Sequence, residues 1–137
     1  MKLTTKSEYA LLILIHLARG KAFPESPVFV RLEDVCKKYS LSIKYAEQQA
    51  SALKNSKLVI SRRGAGGGYQ LASQPEDITL AQVIRLMDGA LAPIGSVSKY
   101  FPSQTRLESE AGVMGVMQDI RDTIACKMEQ TTLSDLL

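Results

Sequence analysis

The twelve residues from Ser61 to Ala72, SRRGAGGGYQLA, hold four glycines and two arginines. Glycine at this density suits a phosphate cradle or a tight hairpin, and the two lead to different folds. A dinucleotide-binding fingerprint needs Gly-x-Gly-x-x-Gly at the start of a helix. Counted from Gly64, its third glycine falls at position 69, where Tyr69 stands. A P-loop needs glycine at that same position and then lysine, so it fails too. The flanks favour the hairpin. LVIS, Leu58 to Ser61, is β-prone, and YQLA, Tyr69 to Ala72, alternates large apolar with polar or small residues. Residues Arg62 to Gly68 then form the loop, whose glycines permit positive φ and a thin tip.

The residues before the hairpin give it a context. Leu32, Val35, Cys36 and Tyr39 recur at i, i+3, i+4 and i+7, which predicts a helix from about Arg31 to Tyr39. After the break SLS, Ser42 is placed to cap a second helix reaching about Asn55. Ile43, Ala46, Ala50 and Leu53 make its expected inner face, leaving Lys44, Tyr45, Glu47, Gln48, Ser51 and Lys54 outward or on the flanks. Two helices joined by a tight turn make a helix-turn-helix. A hairpin directly after one is a wing. The outward side chains are groups that reach phosphates or base edges. A glycine tip beginning at Gly64 can lie along a narrow groove while an arginine enters it.

Charge follows the same segment. Between residues 37 and 63, Lys37, Lys38, Lys44, Lys54, Lys57, Arg62 and Arg63 face a lone Glu47, a local net of +6 in a chain whose total is +3. A concentrated positive field is the footprint of a polyanion partner, although a solvated basic face gives the same count.

Around this unit the chain reads as helical. Thr5 and Glu8 have capping-box spacing for a first helix that runs to Ala18 and ends at Gly20. Its apolar stretch YALLILIHLA is too short to span a bilayer, and no membrane partner is expected. Thr79 caps a fourth helix with the stripe Leu80, Val83, Ile84 and Met87. The segment from Gly89 to about Leu107 is loop-like, a length often reserved for function. There Ile94, Val97, Tyr100 and Phe101 offer an apolar surface, expected to receive a small-molecule or protein effector. A long helix follows, about Glu108 to Glu129. Its seam of Val113, Met117, Ile120 and Ile124, with Met114 and Met128 beside it, suits pairing with a second copy of the chain. TTLSDLL reads as a short final helix.

The expected fold class is therefore mainly α with a small β-hairpin. Residues 1–75 form a winged helix-turn-helix DNA-binding domain, and residues 76–137 a connecting helix, loop and dimerisation helix. The two cysteines, Cys36 and Cys126, suggest no disulfide framework, and with the single His16 they cannot make an ordinary structural zinc site. A reducing, cytoplasmic setting is expected, with no metal and no cofactor. His16 sits in an apolar helix, and no paired carboxylates or nucleophile elbow appear, so no enzyme activity is expected.

Several pieces together resemble one family: MKLTTKSEYAL at the start, LSIKYAEQQASALKNSKLV, RRGAGGGYQLA, ITLAQVIRLMDG, and the closing MQDIRDTIACKMEQTTLSDLL. They are similar to the Rrf2 family of bacterial winged-helix transcription regulators, over nearly the whole chain. The resemblance implies a homodimer that binds double-stranded DNA at a partly palindromic operator and usually represses. It places Lys44, Tyr45, Glu47 and Gln48 toward the major groove and Arg63 in the minor groove. Lys2, Thr4 and Lys6 come near phosphates. Members that carry an iron–sulfur cluster place three cysteines between the fourth helix and the dimer helix. This sequence has none from Gly89 to Leu107, and Ser96 stands about where one is expected. A hydroxyl is a poor substitute for a thiolate on iron, so the DNA-binding reading carries over without the cluster. The competing reading is a protein-interaction adaptor, or a thiol-based redox sensor, on the same winged-helix dimer.

Overall fold

A computed structural model describes all residues, 1–137. Helices α1 (Thr5–Arg19), α2 (Leu32–Tyr39) and α3 (Ile43–Asn55) are followed by strands β1 (Val59–Arg62) and β2 (Gly68–Leu71). Helix α4 (Leu80–Asp88) then leads through two short 3-10 turns to α5 (Ala111–Gln130). The final helix expected from the tail is a single 3-10 turn, Ser134–Leu136.

Helix α1 is the centre of the core. Ala10, Ile13, Leu14 and Leu17 are fully buried, and each large one replaced by alanine costs about 2–5 kcal/mol. Around them lie Val35 and Cys36 of α2, Ala46, Ala50 and Leu53 of α3, and Val59 and Leu71 of the hairpin. The same cluster includes Ile78, Val83 and Leu133. The tail reaches it by backbone bonds, Leu133 N–H to Ile78 O at 2.9 Å and Leu80 N–H to Thr131 O at 2.8 Å. A boundary at residue 75 therefore runs through one continuous core.

The turn between α2 and α3 forms because Ser40 takes the left-handed conformation, φ 55°, and the Leu41 N–H returns to Cys36 O at 2.9 Å. Ser42 Oγ then caps α3 by accepting from the Tyr45 N–H. Strands β1 and β2 pair antiparallel, Val59 opposite Leu71 and Arg62 opposite Gly68. A backbone pair between Val30 and Tyr69 adds the connector to the hairpin. Buried Gln70 fastens it further, donating to Ser26 O at 2.8 Å and Val28 O at 2.9 Å. Gly68 is required at this junction. Its φ is +136°, and a Cβ there would overlap the Val30 carbonyl.

Four sequence expectations change. The capping box at Thr5 and Glu8 does not form: Thr4 holds the N-cap position, and its hydroxyl bonds to Asp88 instead. Thr79 does cap α4 as expected, and Gln82 completes a capping box with it. Ile43, assigned to the inner face of α3, is exposed, and Gln49 is buried in that face. Val97, assigned to an apolar surface, is buried. The long seam on α5 is divided. Ile124 and Met128 pack on Ala81, Ile84 and Leu91 of their own chain, and Met114 lies against Ser96. Val113, Val116 and Ile120 remain exposed.

Candidate nucleic-acid interface

Helix α3 presents two faces with opposite duties. Ala46, Gln49, Ala50 and Leu53 recur at i, i+3, i+4 and i+7 and are buried. The intervening Lys44, Glu47, Gln48, Ser51 and Lys54 are all exposed, a polar stripe along the other side. Burial of the small alanines lets α3 lie close on α1, and the long polar side chains are thereby pushed outward. Tyr45 is half-buried on the flank. Its ring meets Tyr9 edge-on at 4.8 Å between centroids, and the Tyr9 hydroxyl accepts from the Ser42 N–H at 3.0 Å. Tyr9 thus fixes the start of α3 from α1. The sequence reading gave it no role, since a tyrosine in an apolar run looks like core. Ser42 itself is spent on its cap.

Two open clefts border α3. One, about 420 Å³, lies between α2, α3 and the wing, with Arg31, Glu33, Glu47, Lys54, Arg62 and Arg63 among its walls. The other, about 340 Å³, joins Lys2, Thr4 and Lys6 of the N-terminus to Tyr45 and Asp88. The predicted contacts of α1, α3 and the wing are therefore brought together around one helix. An α-helix with an exposed polar stripe is of a size to enter a DNA major groove, and cationic side chains beside such a helix are of the kind that bind phosphates. Arg31 joins the set from the end of the connector; as an isolated cation it had no sequence signal.

The two wing arginines differ. Arg62 donates to Gly66 O at 2.9 Å and its guanidinium lies 4.1 Å from the centre of the Phe29 ring. It braces the loop. Arg63 is exposed and makes no hydrogen bond, ion pair or ring contact. The adjacent Gly64 is exposed with φ +90°.

Titratable groups outside this surface show no catalytic arrangement. Burial, aided by Lys38, holds the His16 imidazole below its ordinary value, and its ring meets Tyr39 edge-on at 5.9 Å. Burial, with Glu33 and Glu47 nearby, pushes the Cys36 thiol up. Cys126 is exposed on α5. In the loop, Ile94 is half-buried, whereas Tyr100 and Phe101 are exposed, Tyr100 flanked by Arg85 at 4.6 Å and Lys99 at 5.3 Å.

The family described as "Rrf2: Iron-dependent Transcriptional regulator" matches residues 3–137. The transcriptional regulator CymR of Bacillus subtilis is 37% identical over 136 residues, covering 99% of this chain and 89% of that protein. The regulator IscR of Aliivibrio salmonicida is 39% identical over 88 residues, covering 64% of this chain and 50% of that one. Among solved structures, CymR of B. subtilis, "the Global Cysteine Regulator", superimposes with a TM-score of 0.83 at 34% identity, covering 99% of this chain and 95% of that one. IscR of T. potens gives 0.72 at 28% identity, covering 99% and 85%.

The family description names iron, and the side chains present decide whether this chain can hold it as a cluster. An iron–sulfur cluster is held mainly by cysteine thiolates. Cys36 is buried in the core and Cys126 stands alone on α5. Ser96 is occupied with Thr105 Oγ1 at 2.9 Å, and no three His, Cys, Asp or Glu side chains converge on a metal position. The donors of this chain do not fit a cluster. The fold, the helix-turn-helix and the wing do fit the family throughout its length. The chain belongs to the Rrf2 family, and it is a DNA-binding transcription regulator, not an enzyme.

Proposed function

We propose that the protein acts as a homodimer that represses transcription from a partly palindromic operator, without an iron–sulfur cluster. The observation that carries this is the shared wall of the two clefts: α3 borders both the wing cations and the N-terminal segment that carries Lys2 and Lys6. In this reading Lys44, Tyr45, Glu47, Gln48, Ser51 and Lys54 face the major groove, Arg63 enters the minor groove, and Lys2, Thr4 and Lys6 approach phosphates. The dimer uses the exposed part of α5, Val113, Val116 and Ile120, which has no cover in its own chain. A small molecule or partner protein acts at the loop that exposes Tyr100 and Phe101.

A second reading, a thiol-based sensor, is favoured by one feature. Cys126 is exposed and borders an open cleft of about 310 Å³ lined also by Lys99, Arg121, Asp122 and Glu129, which a thiol reagent or oxidant can reach.

Selection from random duplexes by the purified protein tests the main reading. The enriched sequences are expected to contain an inverted repeat whose half-sites lie about one helical turn, or a multiple of it, apart. Enrichment without inverted symmetry, by a protein that light scattering shows to be monomeric, would remove the dimeric operator reading.

A further inference from the structure

We infer that Asp88 is a positioning residue for DNA binding, fixing the phosphate-facing first turn of α1 to the end of α4. The inference rests on the placement of Lys2, Thr4 and Lys6 at the DNA. Asp88 is the last residue of α4, and it lies 84 residues from Thr4 in the chain. Its carboxylate accepts from the Thr4 N–H at 3.0 Å, from the Thr4 hydroxyl, and from the Ser7 hydroxyl at 2.6 Å. Both oxygens are engaged. Ser7 is fully buried, so its hydroxyl depends on Asp88. Burial alone would raise the Asp88 carboxyl, but the hydrogen bonds from Ser7 and Thr4, with Lys6 nearby, outweigh it and hold the group below the ordinary range.

The charge of Asp88 argues against a direct contact. It borders the same cleft as Lys2, Lys6 and Tyr45, where a fixed anion repels a phosphate. An acidic residue there helps binding only by what it holds in place. It orders Thr4, and through Thr4 the short segment that carries Lys2 and Lys6. Directly after Asp88 the chain turns at Gly89, φ +86°, and leaves for the loop and α5. Beside the apolar packing of α1 on α4, Asp88 thus adds a polar tie between the phosphate-facing turn and the start of the segment that leads to α5.

The two roles of Asp88 predict opposite signs, which makes Asp88→Asn decisive. The asparagine keeps the shape, and with its carbonyl toward the Thr4 N–H and the Ser7 hydroxyl and its amide donating to the Thr4 hydroxyl it keeps neutral versions of these bonds, so what it removes is the charge that strengthens all three. On a duplex selected by the wild type, fluorescence anisotropy is expected to show binding weakened about tenfold, as for loss of a charged hydrogen bond. The slope of log affinity against log salt is expected to stay unchanged, because no phosphate-neutralising cation is removed. Ser7→Ala, which retains the charge, is expected to weaken binding in the same direction, and the double variant by less than the product of the two. In the free protein, amide exchange of residues 2–7 should quicken in Asp88→Asn while residues 43–55 keep their protection. Equal or tighter binding by Asp88→Asn overturns the proposal, as does faster exchange through α3 in both single variants, which marks a general loss of fold. If the wild type selects no duplex, the DNA reading has failed, and the exchange experiment still decides whether Asp88 orders the turn.

Discussion

The division of labour between Arg62 and Arg63 can be tested by salt dependence. Arg63 has no partner within its chain, so Arg63→Ala leaves the free protein unchanged and removes one phosphate-neutralising or groove-seated cation per protomer. Each such cation contributes about 0.9 to the slope of log affinity against log salt, so a dimer loses about 1.8. Raising salt from about 50 to about 200 mM should then weaken the variant roughly tenfold less than the wild type. Arg62→Ala removes instead the 2.9 Å bond to Gly66 O and the contact 4.1 Å from the Phe29 ring. At this exposed site the two together contribute about 1–2 kcal/mol to the order of the loop. Affinity should fall several-fold, the slope should hold, and amide exchange at Gly66 and Gly67 should quicken before any DNA is added. Arg62→Lys should resemble Arg62→Ala, since an ammonium lacks the planar, multiply donating group that both contacts use. Equal slope losses for Arg62→Ala and Arg63→Ala, with the free wing unperturbed, would refute the reasoning and make Arg62 a DNA contact.

The remaining expectations concern the wing root, the dimer and the thiols. Gly68→Ala should cost several kcal/mol, about 3 from backbone strain alone, because φ is +136° and the new Cβ meets the Val30 carbonyl; thermal unfolding and DNA affinity should both drop, and a wild-type melting curve would contradict the assigned junction. Ile120→Asp should raise the dimer dissociation constant more than a hundredfold, for a burial cost of about 3 kcal/mol, and analytical ultracentrifugation at micromolar concentration checks it; an unchanged dimer places the interface elsewhere. A thiol reagent should modify Cys126 quickly and Cys36 only on unfolding, since Cys36 is 7% exposed and its thiol is pushed up by burial. Anaerobically purified protein should bind its operator without stoichiometric iron and sulfide, and cluster absorbance lost in Cys126→Ser would reverse that expectation.

Much of this protein was legible in the sequence because the deciding signals are local. The 3.6-residue stripes of α2 and α4, the Ser42 and Thr79 caps and the misfit of Gly64 to Tyr69 with any phosphate-loop spacing each involve residues within one or two turns of each other. They identified the helix-turn-helix, the hairpin after it and the outward stripe of α3. The packing of the whole chain decided what each side chain does with its options. Thr4 could have capped α1, but Asp88 arrives from α4 and takes its hydroxyl. Ile43 sits in phase with the buried stripe of α3, yet the helix begins there and no neighbour covers it. Ile124 and Met128 share a periodicity with Ile120, but α4 and Leu91 cover only the first two, leaving Ile120 exposed together with Val113 and Val116. Arg62 and Arg63 are adjacent and chemically identical. Arg62 closes β1 and is held by Phe29 and the loop carbonyl, whereas Arg63, the first residue past the strand, is left in solvent. Periodicity and turn chemistry are written in neighbouring residues, whereas partners are chosen by elements that meet only after the chain has closed on its core.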